Sequence, residues 1–421
     1  MFYDKQPELN RENYKKMLEI IGSLSNLFSD NNEPFLQYRA HENCFCKFFE
    51  AENRGRDDSS ADATKDDVGI GLKTWVGRND QKVAEFGELR PTFEKLNGLD
   101  LVKKIAEYRN ERIRVTKNLY GLQSMLYHVV KRIPHAMQIY ECAFDYIDIS
   151  SISLISNRGN VNNTYFTDGK HVYHFSKSKN TLYMIFDGMM LLDQFEVNIL
   201  DDPYALLMNV FSEKKQSEEE QESISKDHKF WFFFNFKEKE EKNQLCLRLY
   251  SVRGNEKYVP EKSGLNQWNA AGRARDWDEI YIPYLTEDRE RKPNFFPPKD
   301  TCFNLKLPDG KVISAKVCQN AYTRLSDAQY AMLSEDEKRL EDERRLVGKS
   351  IMSNPNKELG HWLLRDVFEL KKGTLVTYEM LQMFNIDSVM FTKIDDLNYE
   401  IDFCPIGTYE NSCSDEEQNY E

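Results

Sequence analysis

The sequence contains no CxxC pair and no cluster of histidines. Its eight cysteines (Cys44, Cys46, Cys142, Cys246, Cys302, Cys318, Cys404, Cys413) are scattered, as are its seven histidines, so neither a zinc site nor a disulfide framework is indicated. Cys44 and Cys46, the closest pair, read as small residues in or beside a core helix. No stretch approaches the roughly 20 uninterrupted apolar residues that span a bilayer. The opening MFYDKQPELNRENYKK has no apolar signal region. A soluble, unsecreted, cytoplasmic protein without membrane contact is expected. A basic excess is missing too: 57 Lys and Arg face 70 Asp and Glu, a net charge of -13. That counts against a protein that coats nucleic acid, because phosphate affinity comes from cations displacing counterions. It leaves room for an enzyme with a local basic cleft.

What is present is long enough for two or three domains, at 421 residues. No internal repeat is visible. Asn10 to Phe28 spaces its apolar residues as an amphipathic helix does, and Glu42 to Ala51 continues as helix. Asn53 to Asp67 is polar loop, VGIGLKTW (Val68 to Trp75) and QKVAEF (Gln81 to Phe86) read as strands, and Leu96 to Leu119 as a charged helix. In TYFTDGKHVYHF, Asp168 and Gly169 mark a hairpin turn. The charged stretch at 213–228 reads as a linker or long loop. Beyond it, FWFFFNF, LCLRLYS, EIYIPY, FNLKLPDGKVISAKV, SVMFTKI and YEIDF are short β-rich runs that suggest a barrel or sandwich. Ser326 to Leu346 reads as one capped, charged helix between two of these strands.

Alternation in VGIGLKTW places Lys73 on one face with Gly69 and Gly71. Glycines in a strand suggest a close approach to the backbone, and a lysine beside them can meet a phosphate. If residues 78–80 form a hairpin loop, Lys73 opposes Glu85. Asp62 lies eleven residues before Lys73 on the way into the same sheet. Phosphodiester hydrolysis with Mg2+ needs hard oxygen ligands and a cation that steadies the attacking water or the developing charge. Asp62, Lys73 and a second carboxylate supply those parts. The arrangement resembles the PD-(D/E)xK nuclease core, where the second acid stands two residues before the lysine. Here that position is Gly71, so Glu85 on the neighbouring strand or Glu52 on the preceding helix must replace it.

The segment YRAHENCFCKFFEAENRGRDDSSADATKDDVGIGLKTW, with QKVAEF and RNERI after it, is similar to the N-terminal part of a group of bacterial restriction endonucleases. That resemblance carries over Glu52, Asp62, Lys73, Gln81 and Glu85, with Asp62 and Glu85 as metal ligands. From about Leu245 to Phe403, the runs KYVPEKSGLNQWNAAGRARDWDEIYIPY, FFPPKDTCFNLKLPDGK, SIMSNPNKELGHWLLRDVFELKKGTLVTYEML and IDSVMFTKID resemble the C-terminal B3-like domain of type II restriction endonucleases. It is a seven-stranded open pseudobarrel that grips the major groove with two arms. Where this domain follows a phospholipase-D-type nuclease, that nuclease carries His-x-Lys, and none of the seven histidines here has Lys two positions later. The nuclease half must be of another type.

The resemblance implies that Lys262, Ser263, Asn266, Gln267, Asn269, Arg273 and Arg275 form one DNA-contact segment, and Lys349, Ser353, Asn354 and Asn356 a second. Their amides and guanidinium groups are of the kind that pair with base edges and phosphates. An insertion at 321–348 departs from the family pattern. The expected protein is α+β: a mixed α/β PD-(D/E)xK-like nuclease domain (1–212), the linker (213–228), a β-rich B3-like pseudobarrel (229–410) and an acidic tail (411–421). Its expected function is Mg2+-dependent, sequence-specific cleavage of double-stranded DNA, as a homodimer at least on DNA, beside a cognate methyltransferase. A catalytically inactive DNA-binding protein and an endonuclease that reads 5-methylcytosine stay open as alternatives.

Overall fold

Apolar spacing in the first fifty residues resolves into two helices, Glu8–Ser23 and Tyr38–Phe49. The second starts four residues before the apolar run, capped by the Gln37 side chain, which accepts from Ala40 N. The computed structural model describes residues 1–55, 59–155, 162–209 and 243–417. The charged stretch at 213–228, the run FWFFFNF and the last residues of the acidic tail lie outside the described residues. The chain divides into two units, Met1–Arg109 with Leu122–Glu240, and Asn110–Gly121 with Glu241–Glu421. The helix Gly98–Leu119 therefore begins in the first unit and ends in the second.

Strands of the first unit are β1 (Glu52–Asn53), β2 (Ala63–Lys65), β3 (Val68–Val76), β4 (Asp80–Glu85), β5 (Ser124–Ile133), β6 (Ala136–Ala143), β7 (Ser153–Leu154), β8 (Asn163–Thr167), β9 (Val172–Ser176), β10 (Thr181–Ile185) and β11 (Met190–Glu196). They form a mixed sheet in the order β1-β2-β3-β5-β6-β11 and an antiparallel sheet in the order β4-β10-β9-β8-β7. β3 and β5 pair in parallel, which demands a long crossover, and the helix Gly98–Leu119 lies within it. Ile70 and Leu72 of β3 pack against Tyr14, Leu18, Phe45 and Phe49 of the two N-terminal helices. At the β8–β9 turn, the Asp168 carboxylate accepts from Lys170 N and His171 N at 3.0 and 2.8 Å. Gly169 takes a φ of +85° there, a backbone conformation open to glycine.

The second unit contains β12 (Gln244–Arg248), β13 (Ser251–Arg253), β14 (Glu256–Tyr258), β15 (Ile282–Pro283), β16 (Cys302–Lys306), β17 (Val312–Asn320), β18 (Gly348–Ser353), β19 (Ser388–Lys393) and β20 (Asn398–Cys404). Seven of them form one sheet, β12-β19-β20-β16-β17-β18-β15, with β16 and β20 parallel. No ladder joins its edge strands β12 and β15 among the described residues, so the sheet does not close into a barrel there. Phe295, Phe296, Phe303, Phe391 and Tyr399 interlock in its core. Between β17 and β18 stand two helices, Asp327–Ala331 and Glu335–Arg345, rather than one. Each has its own capping box, Ser326 with Gln329 and Ser334 with Glu337. The second serine starts a new helix instead of continuing the first.

Asp387, immediately before β19, is fully buried. Burial pushes its carboxyl up to about 6, against the pull of the Lys257 ammonium at 3.6 Å. A carboxyl raised in the folded state contributes stability that is complete below its unfolded value and is lost as pH rises through about 6. The difference in unfolding free energy between wild type and Asp387→Asn should therefore shrink as pH rises from about 4 to about 7. Urea midpoints measured across that range check this, and a difference independent of pH would refute it.

Candidate functional site

Asp62 and Lys73 come together. Asp62 stands just before β2, its N–H donating to Ile70 O at 2.9 Å and its Oδ2 accepting from Leu72 N at 2.7 Å. The carboxylate is thus held by the backbone of β3, and Lys73 Nζ, on that same strand, lies 3.8 Å from Oδ2. Both side chains are about one quarter exposed, so the pair is partly shielded yet open to a ligand.

The carboxylate that joins them is one the sequence reading missed. Glu42, on the helix Tyr38–Phe49, is nearly buried. Burial holds its carboxyl above the ordinary value, and the charge of Asp62 adds to this, while Arg39 and Lys73 oppose it. Arg39 Nη1 bonds both Glu42 Oε2 (2.9 Å) and Gly55 O (2.7 Å), tying the helix to the loop before Asp62. Cys46, one turn on, feels the same two carboxylates, and its thiol is pushed up to about 12, chiefly by burial. The signal for Glu42 was its position: it lies three and seven residues before Phe45 and Phe49, a charged group on an apolar helix stripe.

The two expected replacements for the motif acid stand on other strands, Glu85 on β4 and Glu52 on β1. β4 leaves β3 and pairs with β10, Glu85 standing opposite Thr181, while β3 is flanked by β2 and β5, Lys73 standing opposite Val129. The register that would oppose Lys73 to Glu85 does not form, and Glu85 is exposed and pairs with Lys82 at 2.8 Å. Gln81 on the same strand donates to Arg78 O. Glu52 belongs to β1, not to the preceding helix, and its exposed carboxylate pairs with Arg54. The glycines of β3 also have a different purpose from the one expected. A Cβ on Gly71 would lie 2.7 Å from the Tyr127 ring and 3.1 Å from that of Phe144, and one on Gly69 2.8 Å from Leu122. The close approach is made by the protein's own core, with Tyr127 and Phe144 stacked at 4.0 Å.

Beneath Glu42 runs a fully buried polar chain. Tyr14 Oη lies 2.9 Å from His41 Nε2 and 3.1 Å from His128 Nε2, and His128 Nδ1 lies 3.2 Å from Glu141 Oε1. These contacts fasten the helix carrying Glu42 to Glu8–Ser23, β5 and β6. Burial, together with the charges of His128 and Lys73, keeps His41 well below its usual range, hence neutral.

Mg2+ takes near-octahedral oxygen ligands and is commonly held by one or two carboxylates, with water and phosphate completing the shell. Among the described residues no group of three His, Cys, Asp or Glu side chains could hold a metal ion. The Glu42 and Asp62 carboxylates match the sparser protein share that Mg2+ requires, and their mutual repulsion is what a cation would relieve.

In the second unit the two expected DNA-contact segments divide into residues that face outward and residues spent on the fold. Asn266 is fully buried, bonded to Pro260 O and to Val376 O and N, and Gln267 is buried too. Arg275 Nη1 donates to Ala270 O, Ala271 O and Arg273 O, closing its loop. Ser353 is buried and accepts from Leu359 N. Asn269 donates to Glu261 O, and exposed Asn354 contacts Cys302 Sγ. Lys262, Ser263, Arg273, Lys349 and Asn354 are exposed, and Asn356 is half-buried. Asn266, Arg275 and Ser353 spend on backbone partners of their own domain the same donors and acceptors that a base edge would use.

Residues 238–395 match the family model of the NgoFVII C-terminal B3-like DNA-binding domain. The match spans well under half of the chain and supports a B3-like, restriction-enzyme type of DNA-binding domain in that part of it. No curated protein matches the chain. No helix among the described residues is long and apolar enough to cross a membrane.

Proposed function

We propose that the chain is a Mg2+-dependent, sequence-specific endonuclease of type II that hydrolyses phosphodiester bonds of double-stranded DNA, its second unit selecting the site. The observation that carries the proposal is the meeting of Asp62 and Lys73, with Glu42 in their field, in a chain that also holds a restriction-type DNA-binding domain. Glu42 and Asp62 would hold the Mg2+, which when bound supplies Lewis acidity toward the phosphate and water. The backbone N–H of Leu72 orients the Asp62 carboxylate. Lys73 places a positive charge where negative charge develops on the phosphate, and Arg39 anchors Glu42. Cutting both strands calls for two such sites, hence a homodimer on DNA, in the cytoplasm beside a methyltransferase that protects the host's own sites.

Incubating the full chain with unmethylated phage DNA and Mg2+ should give discrete fragments whose sequenced ends share one motif. Sequence-selective gel shifts without cleavage under Mg2+ or Mn2+ would leave a DNA-binding protein and remove the enzyme.

A further inference from the structure

Glu279 is fully buried immediately ahead of β15 and collects groups from both DNA-contact segments. Its Oε1 accepts from Arg273 Nη2 at 2.5 Å and from the Tyr281 hydroxyl at 2.9 Å, with Arg275 Nε at 3.5 Å. Its Oε2 accepts from Asn356 Nδ2 at 2.8 Å. Arg273 comes from the first segment and Asn356 from the second. A buried carboxylate is costly unless its oxygens are met, so moving the first segment would strip the charge of its guanidinium partners and moving the second would take the Asn356 donor from Oε2, and the two are held to one geometry.

We infer that Glu279 is a positioning residue that locks one contact group from each segment into a single arrangement, and so sets sequence discrimination rather than general DNA affinity. The inference rests on the reading of these segments as DNA contacts. Arg273 is half exposed, with Nη2 fixed on Glu279 and Nη1 donating to Ala274 O at 3.1 Å, so the planar guanidinium is held in a set orientation and offers only its remaining N–H groups outward. Bidentate recognition of a base depends on such orientation. The exposed Lys262 and Lys349 supply attraction that is indifferent to sequence and does not pass through Glu279.

The test uses the full chain in EDTA, so that binding is read without cleavage. Selection from a random duplex library with wild type yields a preferred duplex, and the Kd ratio of scrambled to preferred duplex is then measured at fixed salt. Glu279→Gln should lower that ratio by about tenfold or more, leaving affinity for the scrambled duplex and its salt slope unchanged, effects that general loosening of the domain would not separate. Arg273→Ala and Asn356→Ala should each reduce the ratio, and their double variant should lose less than the two single losses combined. This pair decides the matter if Glu279→Gln does not fold. An unchanged ratio in Glu279→Gln, or losses that simply add, would overturn the inference. A wild type that selects no duplex refutes the DNA-contact reading itself, an outcome distinct from a preference that survives Glu279→Gln.

Discussion

Replacing Lys73 by alanine should abolish DNA cleavage while leaving DNA binding in place. The ammonium is the positive charge that lies 3.8 Å from Asp62. Removing one such preorganised charge from a hydrolytic site costs on the order of 10²–10³ in rate. A second consequence adds to the first: Lys73 opposes the upward shift of Glu42, so without it the Glu42 carboxyl moves further up and protons compete longer for the oxygen that would hold Mg2+. Glu42→Gln should be as damaging as Asp62→Asn, and it distinguishes this site from one built on Glu85, whose replacement by Gln should be mild. Initial rates on unmethylated DNA, paired with filter binding, check each point. Normal cutting by Lys73→Ala would sink the catalytic assignment.

Restoring the motif acid should fail, and expensively. Gly71→Asp places a carboxylate where a Cβ alone would lie 2.7 Å from the Tyr127 ring. Gly71→Ala already overpacks this position, at a cost of about 1–3 kcal/mol. The aspartate adds a charge among the Tyr127 and Phe144 rings, whose desolvation costs on the order of several kcal/mol more. Thermal melting should show a modest fall for alanine, and loss of the folded first unit for aspartate, with no gain in cleavage. A folded and more active Gly71→Asp would mean that the second acid belongs on β3. If the variant behaves as expected, the glycine is a packing requirement, and the acid has moved to the helix.

Local pattern was enough for some elements. Alternation marked β3, and Asp168 with Gly169 marked the β8–β9 turn, because both depend on neighbours in sequence. The partner of β4 was not legible. A short strand of mixed polarity pairs as well with one edge as another until the rest of the sheet is placed, and β10 lies about a hundred positions onward. Glu42 was missed because its partners, Asp62 and Lys73, are joined to it by packing alone. Asn266 and Arg275 look like base readers in sequence and are bound to their own backbone in the fold, whereas Glu279, an unremarked acid in RDWDEIYIPY, organises the groups around it.

The shared helix Gly98–Leu119 bears on how the molecule can be taken apart. Arg114 donates to the carbonyls of Val367 and Phe368, Asn118 to Val367 O and Glu369, and Tyr120 to Asp402. A fragment that starts at Glu241 would leave these acceptors to water and open the apolar surface around them, so trimming from the front yields a wounded reader rather than an independent one. An excisable module would have to carry residues 110–121 grafted back in, as a separate peptide or by circular permutation.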